Sequence, residues 1–438
     1  MEENKTWTLT NDEIAQMCYH HFNDSLTKKG KPQIAKEWTI LAAVLIQDTA
    51  RKSCYIVSMG TGSKCVGQGR LSRNGDILHD SHAEITARRG FLRYLYHDLS
   101  EVYSGGASSI FDLDPLSKKC HLKKDVSVLF FSSHTPCGDG SIIPKSDCSE
   151  LQATSECTTM ESQERDDQEP PRKISKTHQK DDVYRTGAKC VVGGLQDPLL
   201  PGTEHHLAGT LRTKPGRGDQ TLSMSCSDKL AKWNILGIQG SLIANFLESP
   251  IYISRIVFGE SPFCPTAMQR AISDRFKTNV IKIERHPFRQ QQVIIGQSHL
   301  QFRFSKSAVS RTDGSNDPQP CPSSIIWCLR PSTKQLEVAV EGKKQGATKK
   351  TQSKPSGRLE VCKKNLFQSF VTLLQRTEID NLPTHLKEWV PQLEEMTYFQ
   401  SKQLATNYAE MWQQLRAQVM PTWTIKGVHL MQFTVKDV

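Results

Sequence analysis

The 438-residue sequence has no apolar run long enough to span a membrane and no N-terminal signal pattern, since its first residues, MEENKTWTLT, are polar and acidic. Its 13 cysteines show no regular disulfide spacing. These absences argue against a membrane protein and against a disulfide-stapled secreted domain. They predict reduced thiols in the cytoplasm, the nucleus or both, some of them available to a metal.

Apolar residues make up only 37% of the chain, which is enough for a core but low for a fully compact protein. Segment 150–182 has many charges and almost no large apolar side chains. We therefore predict a single domain over residues 1–438 that carries a disordered insertion at 150–182.

The formal net charge is +10, which is compatible with a polyanionic partner but does not indicate a fold. One basic run, 343–364, holds eight Lys or Arg residues against one acid, Glu360. Such runs are usually solvated loops, but this one could also contact the phosphates of a nucleic acid. Three further cations are candidates for the same role: Arg212, Lys214 and Arg217.

Hydrophobic periodicity predicts strands and helices that alternate along the chain. The predicted helices cover 9–23, 80–99, 225–248 and the region after 361, and the predicted strands cover 38–45, 54–59, 126–132 and 251–259. Segment 126–132 (VSVLFFS) is almost continuously apolar, which is typical of a strand buried on both faces beneath helices.

Three segments concentrate reactive side chains: DSHAEITARRG at 80–90, SSHTPCGDGS at 132–141 and SMSCSDKLAKWN at 223–234. Hydrolytic removal of ammonia from a nucleobase needs hydroxide, which zinc provides by lowering the pKa of bound water to about 7. Three protein ligands hold such a zinc, and a carboxylate that is not a ligand shuttles the proton. His82, Glu84 and the Pro136-Cys137 pair match part of the signature of this enzyme class.

The third ligand is not given by local spacing, because Gly140 stands where the signature has its second cysteine. Four of the cysteines that follow Cys137 are candidates: Cys148, Cys157, Cys190 and Cys226. Cys226 is favoured on physical grounds, since it begins a predicted helix among capping residues, and a helix start stabilises a thiolate.

Two simpler interpretations remain open at this point. Ser81 and Glu84 have the spacing of a capping box, in which Glu84 would bind only a backbone N–H. His134 lies close to Cys137 in sequence and could complete a structural zinc site with four protein ligands.

The segments DSHAE, HTPCGDGSIIP and SMSCSDKLAKWNILGIQGSL resemble the editing-type adenosine deaminases, from about residue 40 to the C-terminus. The resemblance implies a cytidine-deaminase-like α/β fold: a three-layer sandwich with a mixed sheet flanked by helices and a C-terminal helical extension. It also implies one zinc ion bound by His82, Cys137 and Cys226, with Glu84 as the catalytic proton shuttle.

The family contains RNA-editing enzymes with double-stranded-RNA-binding modules ahead of the catalytic domain, and each module needs roughly 65–70 residues. Because the resemblance begins near residue 40, we expect no separate module here. VYRTGAKC and LRTKPGRGDQTLSMSCSDK resemble the tRNA-acting branch, which implies conversion of adenosine 37 of alanine tRNA to inosine. The alternatives are a deaminase of double-stranded RNA and an inactive zinc-containing RNA-binding protein, and the intact Glu84 argues against the latter.

Periodicity places four cations, Arg88, Arg89, Lys229 and Lys232, on the inward faces of their helices. A buried unpaired charge costs several kcal/mol or more, so these side chains need anions unless they reach solvent or pair with acids such as Asp80 and Asp228.

The resemblance implies that a structural inositol hexakisphosphate is that anion. Its implied ligands are Arg88, Arg89, Lys229, Lys232, Lys349, Tyr398, Lys402, Tyr408, Trp423 and Lys426. The chain departs from the family with His79 in place of asparagine, Lys232 in place of arginine and Trp412 in place of lysine. These departures predict altered contacts to the inositol phosphate.

Overall fold

The computed structural model describes residues 7–145, 182–216, 219–276, 287–313, 318–329, 335–348, 350–351 and 354–437. The predicted insertion, apart from its last residue, lies outside these residues, as do Lys349 and Arg217. Within the described ranges, no helix has the length and apolar character needed to cross a membrane.

A mixed eight-stranded sheet forms the centre of the structure. Its strands are β1 (Leu41–Asp48), β2 (Ser53–Thr61), β3 (Val126–Ser132), β4 (Ile253–Phe258), β5 (Ile294–Gln297), β6 (Ser323–Cys328), β7 (Leu336–Val340) and β8 (Lys343–Lys344). The spatial order is β5-β4-β3-β1-β2-β6-β7-β8. The β5-β4-β3 part is parallel, and the other neighbours are antiparallel.

The described helices are α1 (Asn11–His20), α2 (Ala83–Tyr103), α3 (Cys226–Leu236), α4 (Ser241–Ala244), α5 (Pro265–Ile272), α6 (Lys306–Asp313), α7 (Lys363–Arg376), α8 (Thr384–Lys387), α9 (Tyr398–Gln403) and α10 (Thr406–Gln418). Four two-stranded pairs surround the main sheet: 37–38 with 319–320, 111–113 with 120–122, 143–144 with 183–184, and 189–190 with 212–213.

Strand β1 shows why the sheet is covered on both sides. All eight of its residues are buried, and alternate side chains point to opposite faces, as the period of a strand requires. Val44 and Ile46 join a large core with α2, whereas Leu41 and Leu45 join a second core with α1. Helices on both faces of a mixed sheet confirm the predicted three-layer sandwich.

The C-terminal helices form the predicted extension. Phe367 and Phe370 of α7 belong to the main core, where α7 packs against α2. Tyr408 and Leu415 of α10 pack with Ile235 of α3. The extension therefore covers α2 and α3. Helix α2 directly follows the predicted metal ligand His82, and helix α3 begins with the predicted metal ligand Cys226.

The prediction of one continuous helix over 225–248 is wrong. Helix α3 ends at Leu236 because Gly237 adopts φ +77° and Gly240 adopts φ +79°, a backbone region that L-residues rarely occupy. Only the short α4 follows. The predicted 80–99 helix begins later than expected, at Ala83, which leaves Asp80 and His82 in the segment that precedes it.

Candidate active site

Three separate segments bring His82, Cys137 and Cys226 together. His82 caps α2, Cys137 lies in the turn after β3, and Cys226 is the first residue of α3. The Nδ1 atom of His82 is 3.9 Å from the Sγ atom of Cys137 and 3.7 Å from that of Cys226. All three ligand atoms lie within 4.8 Å of one another, so the predicted ligands converge on one point.

Local sequence explains how the two cysteines meet. Gly138 adopts φ +101°, and a Cβ atom there would lie 2.3 Å from the Oγ atom of Ser225, so only glycine allows this close approach. Ser225 caps α3 by accepting a hydrogen bond from the backbone N–H of Asp228 at 3.1 Å. The backbone N–H of Cys226 then donates to the sulfur of Cys137 at 3.3 Å.

The pKa values of the two thiols are shifted in opposite directions. A hydrogen bond from Cys226, together with the charges of Lys214 and His82, holds the pKa of Cys137 well below its usual range despite burial. Burial and the neighbouring Cys137 raise the pKa of Cys226. A divalent cation would allow both sulfurs to ionise, and two thiolates with one imidazole are a zinc ligand set that leaves a fourth position open. The three residues therefore fit zinc.

Glu84 lies beside this group without belonging to it. Its side chain is buried in the first turn of α2, and its Oε2 atom has no hydrogen-bond partner among the described residues. Its charge contributes, after burial and Cys137, to the raised pKa of Cys226, which indicates proximity to the sulfurs. The capping residue of α2 is His82, and no side-chain capping bond forms there. The capping-box interpretation of Ser81 and Glu84 is therefore wrong.

The rival ligands do not join the metal-binding group. The Nδ1 atom of His134 instead contacts the backbone oxygen of Thr135 at 3.0 Å. Cys190 lies in a short strand, and Cys148 and Cys157 are outside the described residues. A second described group, Cys65, Asp80 and His82, has metal-like spacing, but the carboxylate of Asp80 is already bound by two lysines.

Asp80 connects the metal-binding group with a basic interior. The Nζ atom of Lys214 lies 2.9 Å from Asp80 Oδ2, and Lys229 binds the same oxygen. Asp80 Oδ1 also accepts a hydrogen bond from the backbone N–H of His82 at 3.1 Å. This carboxylate therefore fixes the start of α2 and offsets the charges of the buried Lys214 and the partly buried Lys229.

Two cavities with shared walls lie on the other side of Asp80. The larger has a volume of about 950 Å³ and the smaller about 220 Å³, and Arg88, Arg89 and Lys232 line both. Together they are lined by every predicted inositol phosphate ligand that the structure describes: Arg88, Arg89, Lys229, Lys232, Tyr398, Lys402, Tyr408, Trp423 and Lys426. Lys229 pairs with Asp80, which is one of the acids named above as possible partners for the inward cations. It still lines the smaller cavity.

The cations in these walls destabilise one another. Burial, together with the charge of Arg89, lowers the pKa of Arg88 to about 10. Burial and then Lys229 lower the pKa of Lys426 to about 8. Burial and nearby cations also lower the pKa of His79 to about 2. The histidine that stands here in place of the family's asparagine is therefore a neutral side chain. Such a cavity is suited to a compact polyanion.

Comparison with known proteins agrees with this geometry. Residues 58–427 match the model of the adenosine-deaminase (editase) domain. The chain belongs to the adenosine-deaminase (editase) family. It is therefore a deaminase enzyme, and it contains the family's domain over most of its length.

Individual relatives match over most of the chain. A Homo sapiens protein named tRNA-specific adenosine deaminase 1 is 39% identical over 95% of this chain and 98% of its own length. A Drosophila melanogaster protein of the same name is 34% identical over 99% of this chain and 98% of its own length. A Mus musculus double-stranded RNA-specific adenosine deaminase is 30% identical over 83% of this chain but only 28% of its own length.

Two sequence-based assignments for this deaminase are wrong. The Arg212 side chain is fully buried and binds Asp197, and the Lys214 side chain is fully buried and binds Asp80, so neither can contact substrate phosphates. The basic run 343–364 is also not a continuous solvated loop. Its last three cations, Arg358, Lys363 and Lys364, pack inside the protein or line a cavity.

Sequence reasoning also missed two residues that support the site. Lys363 lines both cavities, and its buried Nζ atom has no hydrogen-bond partner in the described part of the chain. Arg275 binds Asp139, two residues after Cys137, and Asp228, two residues after Cys226. The run of basic residues before α7 was a signal for Lys363, but no local pattern indicates Arg275.

Replacing Cys226 by alanine should abolish stoichiometric zinc binding, because only one thiolate and one imidazole would remain. Cys190→Ala is the matched control, since Cys190 is also buried but lies in a short strand and does not belong to the metal-binding group. Cys148→Ala and Cys157→Ala should likewise retain the metal. Elemental analysis of the purified proteins measures this directly, and zinc retained by Cys226→Ala would contradict the ligand assignment.

Proposed function

We propose that this deaminase converts adenosine 37 of alanine tRNA to inosine, at a zinc ion bound by His82, Cys137 and Cys226. The observation that carries the proposal is the convergence of these three ligand atoms beside a buried, unpartnered Glu84 carboxylate. The names of the relatives matched over nearly their whole length support tRNA as the substrate.

The reaction consumes one water molecule and releases ammonia as adenosine becomes inosine. Zinc, when bound, lowers the pKa of water so that hydroxide is available near neutral pH. Glu84 has a free acceptor oxygen and is not needed as a ligand, so it accepts one proton from water and delivers it to N1 of the purine ring, where inosine keeps it. It then takes the second proton from the new hydroxyl group on C6 and delivers it to the amine, which leaves as ammonia. The surrounding protein keeps this carboxylate away from bulk water, since its side chain is only 2% exposed.

The cavities beside Asp80 take inositol hexakisphosphate in this proposal, as a structural ligand. The support is chemical: several buried cations with lowered pKa values face one space, together with the tyrosines Tyr398 and Tyr408. Phosphates would neutralise these cations and link α10 to α2 and α3.

Incubating the protein with total tRNA and sequencing the products for A-to-I changes tests the substrate directly. We expect a change at position 37 of alanine tRNA and no change with Glu84→Gln protein. Deamination found only in double-stranded RNA added to the same reaction would favour the alternative substrate and reject tRNA.

A folded tRNA should be a better substrate than a hairpin with the same anticodon loop. Lys145 and Arg185 are exposed directly after the short strands 143–144 and 183–184, where both pair with Asp182, and Lys189 is exposed in the strand 189–190. These three residues replace the buried Arg212 and Lys214 as candidate phosphate contacts. Changing all three to alanine should raise KM for tRNA several-fold, leave kcat unchanged and weaken the salt dependence of binding.

The matched control for this experiment changes three exposed lysines near α1, on the opposite face of the sheet: Lys28, Lys29 and Lys36. The control should leave KM unchanged. Equal turnover of the hairpin and the whole tRNA at moderate salt would show that contacts outside the anticodon loop do not matter.

A further inference from the structure

Lys232 is held by two aromatic rings at the wall of the larger cavity. Its Nζ atom lies 3.5 Å from the centroid of the Trp412 ring and 5.3 Å from that of Trp423. The two indole rings meet edge to face, with 5.0 Å between their centroids. Cation–π contacts of this kind stabilise a buried ammonium group without an anion. Trp412 therefore stands where the family has a lysine, and its ring also restrains the neighbouring Lys232.

Arg416 lies one helical turn after Trp412 in α10. It is four residues after Trp412 in α10, so both side chains lie on one face of the helix. Arg416 lines the larger cavity, and its buried Nε atom has no hydrogen-bond partner among the residues that the structure describes. Its charge also reaches Lys232, whose pKa is lowered first by burial and then by surrounding cations that include Arg416.

We propose that Arg416 is a phosphate-binding residue of this cavity and replaces the positive charge that the chain lacks at Trp412. The inference rests on the proposed polyanion and adds a ligand residue to it. A guanidinium group offers five N–H donors in a planar fork that matches two phosphate oxygens, whereas the ammonium group of Lys232 lies over the indole rings of Trp412 and Trp423. The cavity thus keeps a positive charge on this helix, at Arg416 and one helical turn away from position 412.

The competing explanation is that the guanidinium of Arg416 extends past the cavity into solvent and leaves only its stem in the wall. The two explanations differ in what happens when the charge is removed. A phosphate ligand is bound more weakly after the change, whereas a solvated arginine can be replaced by glutamine without effect on the ligand.

Arg416→Gln tests the proposal, with inositol hexakisphosphate as the probe. Purified wild-type and variant proteins are compared by native mass spectrometry for bound ligand, and by competition binding for affinity after removal of the ligand. We expect binding on the order of 10- to 100-fold weaker in the variant, because a charge-assisted hydrogen bond is lost. Arg376→Gln is the matched control, since Arg376 is exposed at the end of α7.

A second variant separates phosphate binding from a general effect on folding. Trp412→Lys in the Arg416→Gln background restores a cation to the same wall, and it should recover most of the lost affinity. Equal affinity of the wild type and Arg416→Gln would overturn the role of Arg416 alone. A wild-type protein that neither carries nor binds inositol hexakisphosphate would overturn the proposed polyanion as well.

Discussion

Glu84→Gln protein will retain its zinc and lose its deaminase activity. Glutamine preserves the size of the side chain but cannot accept and return a proton at the working pH. General acid–base catalysis contributes roughly 10²- to 10⁴-fold to a rate, so kcat should fall by at least that factor. The metal should remain, because the ligand atoms of His82, Cys137 and Cys226 converge without Glu84. Glu84→Ala should give the same result.

The control for this experiment lies on the same helix. Glu101 is exposed near the C-terminal end of α2, far from the metal-binding group along the helix axis. Glu101→Gln should therefore keep both zinc and activity. Retained turnover in Glu84→Gln, measured as inosine formed in tRNA, would reject the shuttle, and loss of zinc from that substitution alone would make Glu84 a metal ligand.

The grouping of the candidate site residues could be predicted because their signals are local. His82 and Glu84 are two residues apart at a helix start, and Cys137 follows a strand that the sequence predicts with its observed bounds, Val126–Ser132. Cys226 needed one further physical argument, the preference of a thiolate for a helix start, and the structure brings it to the other two ligands.

The residues behind the ligands could not be predicted in this way. Lys214 and Asp80 are 134 positions apart in sequence, and only the three-dimensional fold brings their charges together. Arg275 likewise joins two segments that carry ligands without any repeating pattern around it. Ion pairs between distant segments leave no periodicity, so Lys214 was misinterpreted as an exposed phosphate contact.

Burial of charge was the main limit of the sequence argument. A run of basic residues such as 343–364 usually indicates a solvated loop, but Lys363 begins α7 and faces the interior of this protein. The helix predicted over 225–248 failed for a different reason, since Gly237 and Gly240 turn the chain at positions where the apolar pattern continues. That break places α4 in the wall of the larger cavity.

Protein stripped of its polyanion should become more stable as the pH rises from about 8 toward the pKa of free lysine, about 10.4. Burial and then Lys229 lower the pKa of Lys426 to about 8, and burial lowers the pKa values of Lys363 and Lys232 well below the usual range. Between the folded and unfolded pKa values, the unfolded state binds more protons, so the free energy of unfolding increases with pH. Below pH 8 the full cost of charging Lys426 opposes folding.

The size of this effect makes it measurable. One pKa unit corresponds to about 1.4 kcal/mol, so charging Lys426 costs the folded state about 3 kcal/mol, which is large beside the net stability of roughly 5–15 kcal/mol of a typical domain. Bound phosphates should return the lysines to their charged state and so remove the increase in the free energy of unfolding between about pH 8 and about pH 10. Urea unfolding at several pH values between 7.5 and 9.5, with and without inositol hexakisphosphate, measures the difference, and thiols and tyrosines that titrate in this range cancel between the two series.

Lys363→Met supplies the variant that links this pH dependence to the cavity. It removes one cation whose Nζ atom is buried without a partner in the described structure, so the stripped variant should be more stable than stripped wild type at pH 7.5 and should show a smaller rise with pH. The same substitution should weaken inositol hexakisphosphate binding, because it also removes a cation that lines both cavities. Parallel pH profiles for the stripped and the loaded wild type would mean that protein groups already neutralise the cavity, and that its cations do not require a polyanion.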